Sequence, residues 1–228
     1  MILLVFVLAA PVADAKKPHK LKSPHKLAYH PIGSPPLPDK RAKKYIQRSK
    51  WEPRRENWKP NHTVPTRKQL RRFRRRSDMP YKEYVTGRFK GTTDEILQWG
   101  ARKWGFEPDL FRAVAVVESW WKMSTRGDEG DSFGLMQVRR PYHCCLPFIK
   151  TSTAFNVDYY GGILSAYYHG KQEWLNTVER GKRYKAGDLW GSVGVWASGR
   201  WHLGTSAWYV RMVKKRLRQK TWRTDPWF

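Results

Sequence analysis

The sequence predicts a mainly α domain over residues 91–222, preceded by a basic extension. Two observations carry this. Apolar residues recur at helical spacing in four segments after residue 90, and no segment alternates apolar and polar residues as a half-buried strand would. Charge is also divided unevenly, although the whole chain of 228 residues carries a formal net charge of +26. Residues 16–90 hold 24 Lys and Arg against 5 Asp and Glu, whereas residues 91–228 hold 21 against 13.

Ile2 to Ala10 form a short apolar core, and Ala13-Asp14-Ala15 offers a small-x-small cleavage site before Lys16. Residues 1–15 therefore read as a secretory signal peptide, too short to span a bilayer, although no Lys or Arg precedes the core. Residues 16–90 are Pro-rich, as in Ser34-Pro35-Pro36-Leu37-Pro38, and poor in aliphatics. Such a segment buries too little apolar surface to offset its ordering entropy and is expected to be disordered. Its densest cluster, Arg71-Arg72-Phe73-Arg74-Arg75-Arg76, reads as a solvated, anion-seeking linker.

Order is expected to begin near Thr92, where Thr92-x-x-Glu95 fits a capping box. Leu97, Ala101 and Trp104 then share a face, and Gly105 stops the helix. The second helix opens at Pro108-Asp109, both suited to a first turn. Its stripe is Leu110, Val114, Val117 and Trp121, and Glu118 follows Phe111 and Ala115 at the edge of the buried face. A third helix is expected over about Asn156–His169, with Val157, Tyr160, Leu164 and Tyr167 on one face. Gly161 and Gly162 each cost about 1 kcal/mol there, so close helix packing is expected to require them. The last helix, about Ser206–Lys220, is expected to bury Val210, Val213 and Leu217 and expose Arg211, Lys214, Lys215 and Arg218. Residues 223–228 read as a tail.

The chemistry centres on Glu118. Val116, Val117, Trp120 and Trp121 flank it, and partial burial raises a carboxyl pKa until the group can donate a proton near neutral pH. The two cysteines, Cys144 and Cys145, are adjacent; reduced thiols, a vicinal bridge and an intermolecular bridge are all open. With His143 they lack tetrahedral ligand spacing, so neither metal nor cofactor is expected.

Glu118-Ser119, the acidic loop Gly127-Asp128-Glu129-Gly130-Asp131-Ser132-Phe133 and Gly134-Leu135-Met136-Gln137 together resemble the soluble lytic transglycosylase family. The resemblance covers roughly residues 92–215 and implies a lysozyme-like fold with Glu118 as the single catalytic residue. It also implies that Met136 and Gln137 contact the sugar beside the acid, and that Ser119 and Ser132 hydrogen-bond to acid or substrate. Phe155-Asn156-Val157 with Gly161-Gly162-Ile163-Leu164 resembles a third family motif. Where most members carry Ala-Tyr-Asn-Ala-Gly, this chain has Val195-Trp196-Ala197-Ser198-Gly199. Trp196 is thus expected to fill the place of a tyrosine near the acid without offering a hydroxyl, with Tyr159 or Tyr160 compensating. Trp196 and Trp201 are expected among the cleft-lining aromatics.

What the resemblance implies is cleavage of the β-1,4 bond between N-acetylmuramic acid and N-acetylglucosamine in peptidoglycan, closing a 1,6-anhydro end without water. The alternatives are a goose-type-like lysozyme in which Asp128 or Asp131 positions a water, a non-catalytic cell-wall protein, and a basic nucleic-acid-binding protein. Basic stretches bind phosphate backbones without reading sequence, but the charge lies outside the motif-bearing segment, so no specific nucleic acid is expected. The expected protein is a secreted, wall-associated monomer whose extension holds it to anionic wall polymers or membrane surfaces.

Overall fold

The computed structural model describes residues 32–144 and 146–228. The signal-like segment 1–15, the first part of the basic extension and Cys145 lie outside the described residues. The chain is mainly helical, as expected. In order come α1 (Asp39–Ala42), α2 (Trp58–His62), α3 (Arg67–Arg76), α4 (Thr93–Lys103) and α5 (Pro108–Ser119). A small antiparallel sheet follows, with β1 (Arg126–Gly127), β2 (Ser132–Phe133) and β3 (Val138–Arg139) in that spatial order. After it come α6 (Phe148–Thr151), α7 (Thr153–Tyr168), α8 (Leu189–Ser198), α9 (Thr205–Gln219) and α10 (Thr221–Thr224). Among the described residues no helix is long and apolar enough to cross a membrane.

Helix α7 is the hub. Every residue from Thr153 to Tyr167 is buried, so its apolar surface runs all the way round instead of forming a stripe. Its glycines are explained by close packing: a Cβ on Gly161 would lie 2.2 Å from the ring of Trp104, which caps the end of α4. Asp158 is a buried charge on the same helix, and it is fully compensated. It accepts from Lys103 Nζ at 2.7 Å, from Trp104 Nε1 at 2.7 Å, and from the backbone N–H groups of Thr86 and Gly87. Lys103 also reaches Asp39 of α1 at 2.8 Å. Breaking a buried pair of this kind leaves an uncompensated charge, the costly case for ion pairs.

The expected helices α4, α5, α7 and α9 all form, and α4 carries the full Thr92–Glu95 capping box. The expected disorder of residues up to 90 is corrected for 32–90. Leu37, Ala42, Leu70, Phe73, Met79, Val85 and Phe89 are buried in the common core. The arginine cluster is not a linker but helix α3, capped by Thr66 and Gln69, with Phe73 packed edge-on to Phe155 of α7 at 5.2 Å. Few aliphatics are needed, because each aromatic buries a large area where α7 already offers one. Residues 223–228 are likewise no free tail: Phe228 packs edge-on to Trp121 at 4.9 Å. The short helices α1, α2, α6 and α10, the longer α8 and the small sheet have no counterpart in the expected set; strands of two residues are too short to show alternation.

The N-terminal segment also braces the end of α5. The side-chain amide of Asn57 donates to Trp121 O at 2.6 Å and accepts from Met123 N at 2.8 Å, and Arg54 Nε donates to Trp120 O at 2.7 Å. Asn57→Ala would leave buried backbone groups unpaired and should cost about 2 kcal/mol, measurable as a lowered denaturant midpoint at constant slope. Deleting residues 32–90 should abolish cooperative unfolding altogether. A truncated chain that still unfolds cooperatively would show that the brace is dispensable.

Candidate active site

The site is built at the end of α5. Trp120 and Trp121 both adopt left-handed backbone, with φ of 53° and 60°, and so terminate the helix immediately after Glu118-Ser119. Non-glycine residues pay about 1–2 kcal/mol each for that conformation. Here the bonds from Arg54 and Asn57 hold it, together with the burial of Trp121 among Trp51, Trp222 and Phe228. The chain then turns into β1–β3, which places Gly127, Asp128, Ser132, Gln137 and Arg139 along one side of a cleft of about 790 Å³. Asp78, Met79 and Pro80 from the N-terminal segment, His143, and residues of α7, α8 and α9 complete its walls.

Glu118 lines this cleft and is half-buried. Loss of hydration pushes its carboxyl up to about 8. The hydroxyl of Tyr209 on α9 donates to Glu118 Oε1 and pulls the value partly back, while the negative charge of Asp128 adds to the rise. The result is a carboxylic acid still protonated at neutral pH, held by Tyr209 through one oxygen in the wall of the cleft.

The expected site residues divide into two groups. Glu118, Ser132, Gln137 and Trp196 line the cleft. Ser132 Oγ donates to Asp128 Oδ2, and Gln137 Nε2 donates to Gly134 O at 2.8 Å. Ser119, Met136 and Tyr160 are buried and are not among the cleft-lining residues. Ser119 Oγ reaches Leu135 O at 2.9 Å and so ties the end of α5 to the Gly-Leu-Met-Gln turn. Met136 contributes backbone, its N–H donating to Asn156 Oδ1 and its carbonyl accepting from Trp196 Nε1 at 2.9 Å. Asn156 also donates to Phe133 O and Ile149 O, so this motif residue pins the turn in place. Gly134 must be glycine, because its φ is +77° and a Cβ would lie 2.6 Å from the Asn156 amide.

Tyr160 packs edge-on to Trp196 at 5.0 Å, and its buried hydroxyl finds no hydrogen-bond partner among the described residues. Trp201 is fully buried against Tyr184 and is core, not cleft wall. The hydroxyl expected from Tyr159 or Tyr160 comes instead from Tyr209, which sequence reasoning missed. Its spacing signal was present, since Tyr209 lies four residues before Val213 on the buried face of α9. Trp196 stacks on His143 at 5.1 Å, and burial pushes that imidazole down to about 4 against the pull of Asp78, so the ring is neutral in the cleft. Asp131 pairs with Arg140 at 2.9 Å and does not line the cleft, whereas Asp128 does. Cys144 is disulfide-bonded. Among the described residues no group of three or more His, Cys, Asp or Glu stands together as a metal site would require.

The raised carboxyl has a stability consequence. An unfolded glutamate releases its proton near 4.5, while folded Glu118 holds it to about 8. Between these values the unfolded chain binds fewer protons, so stability falls as pH rises through the interval. Glu118→Gln should therefore unfold at a higher temperature than the parent at pH 8, and the gain should disappear below about pH 4.5. Tyr209→Phe removes a donor that favours the ionised form and should move Glu118 further up, read by carboxyl-resolved NMR titration. A downward movement would contradict the hydrogen bond.

Against protein-family models, curated proteins and solved structures the chain finds no match.

Proposed function

We propose that the protein is a peptidoglycan lytic transglycosylase of lysozyme-like architecture, acting outside the cell. The observation that carries this reading is the neutral Glu118 carboxyl, desolvated at a helix end, held by Tyr209 and facing an open, aromatic-lined cleft. A glycosidic oxygen needs a proton as its bond to C1 breaks, and a donor with a pKa near the working pH is most effective. Glu118 supplies that proton and becomes a carboxylate, which the Tyr209 hydroxyl stabilises by hydrogen bonding. The carboxylate then removes the proton from the C6 hydroxyl of the muramoyl sugar, whose oxygen closes on C1. The 1,6-anhydro product forms and Glu118 is protonated again, so one carboxyl serves both steps.

A second reading, hydrolysis, is favoured by one observation: Asp128 lines the same cleft and acts electrostatically on Glu118. In that role it would orient a water, as the second carboxylate of a hydrolase does. Against it, Asp128 is already engaged by Ser132 Oγ and by Arg139 at 3.7 Å.

The exposed Arg67, Lys68, Arg71, Arg72, Arg75 and Arg76 of α3 present a positive ridge. In this proposal the ridge holds the enzyme to anionic wall polymers or membrane surfaces by screened attraction, weakening with salt.

Glu118→Gln keeps the shape but not the transferable proton, so it should stay folded, still bind glycan and lose about two to four powers of ten in rate. Cleavage by the parent should decline above about pH 8, as Glu118 ionises. Mass spectrometry of its products should find them one water lighter than hydrolysis products. Asp128→Asn should reduce the rate far less than Glu118→Gln. Reducing-end products with an inactive Asp128→Asn variant would replace the lyase by the hydrolase, and full activity in Glu118→Gln would overturn both.

A further inference from the structure

Among the described residues five tryptophans keep a large part of their surface in solvent: Trp58 (67%), Trp120 (36%), Trp174 (41%), Trp208 (51%) and Trp227 (88%). Exposure alone does not make a binding site, since single exposed aromatics are common on protein surfaces. Trp174 and Trp208 are different because both line the cleft that holds Glu118, whereas Trp58, Trp120 and Trp227 do not. Trp174 is also fixed in place. It sits in a short 3₁₀ turn, Glu173–Asn176, and its Nε1 donates to Gln172 Oε1 at 2.7 Å. The chain at Gly199, at the end of α8, passes beside its ring. Trp208 precedes Tyr209 on α9, so the helix that holds the acid by one side chain presents a flat ring to the cleft by the next.

Small residues, Ala197, Ser198 and Gly199, line the cleft with these rings. Gln172 and Arg200 line it too and offer hydrogen-bond donors. A partly exposed indole in a concave wall, with hydrogen-bond donors nearby, suits a pyranose. The sugar lays the apolar C–H face of its ring on the aromatic face and its hydroxyl and acetamido groups on the donors.

We propose that Trp174 and Trp208 are stacking platforms for successive rings of a β-1,4-linked N-acetylhexosamine strand, forming subsites on the α8–α9 side of the cleft. The proposal rests on the glycan-cleaving reading and specifies how the strand is held. The cleft then grips several sugars, and the platforms supply affinity for the strand without taking part in bond cleavage.

The probe is the tetramer of β-1,4-linked N-acetylglucosamine, titrated into Glu118→Gln protein while tryptophan emission is followed. A saturable emission change is expected, with Kd raised about tenfold by Trp174→Ala and by Trp208→Ala. Trp174→Phe should restore most of the affinity, and Trp227→Ala should leave Kd where it was. In the Glu118-containing enzyme the same alanine variants should raise KM for soluble glycan fragments more than they lower kcat. An unchanged Kd in both alanine variants, or no tetramer binding by a protein whose parent cleaves peptidoglycan, would overturn the platforms and leave the function standing. A parent with no Glu118-dependent cleavage would overturn the function itself.

Discussion

The termination of α5 at two left-handed tryptophans is the constraint on which the rest of the site depends. It stops the helix one residue after Glu118 and turns the chain into the hairpins that carry Asp128, Ser132 and Gln137. A left-handed Trp-Trp pair is unfavourable by itself, so the fold over-determines it. Arg54 and Asn57 bond its carbonyls, Trp121 Nε1 donates to Arg112 O, and Phe228 packs edge-on to Trp121. Segments from both ends of the described chain are therefore spent on fixing one turn. This explains why the N-terminal region is part of the domain, despite a composition that suits a tail.

Glu118 illustrates the usual exchange between stability and chemistry. Desolvating a carboxyl costs folding free energy at neutral pH, yet it yields a proton donor. The buried charges elsewhere are treated differently. Asp158 is met by Lys103 and by several N–H donors, and Arg112 forms two hydrogen bonds to Asp94. Those groups are paired and structural. Glu118 has a hydroxyl as its direct partner and no cation in any ion pair among the described residues, so burial disfavours its charged form and the carboxyl keeps its proton.

Local chemistry made much of this legible. The Thr92–Glu95 box, Pro108 and the apolar spacings of α4, α5, α7 and α9 are properties of short segments, and the helices appear at those places. Glu118 at the edge of a buried stripe was legible for the same reason. Residues 32–90 were misread because composition measures how much apolar surface a segment owns. It does not measure how much a neighbour offers, and Phe73 needs only the matching ring of Phe155.

Within the site, sequence by itself placed Glu118 at the edge of a buried helix face and marked Gln137 as a cleft residue, and both line the cleft. Only tertiary structure decided which of the accompanying residues face the cleft. Ser119, Met136 and Asn156 became hydrogen-bonding struts behind the wall, while Asp78, Trp174 and Trp208 came to line it. The hydroxyl on Glu118 comes from Tyr209, 91 residues further along the chain. The physical reason is range. Capping, periodicity and burial of a stripe act within a few residues, whereas a hydrogen bond to a buried carboxyl depends on how α9 packs against α5, which no short segment of sequence encodes.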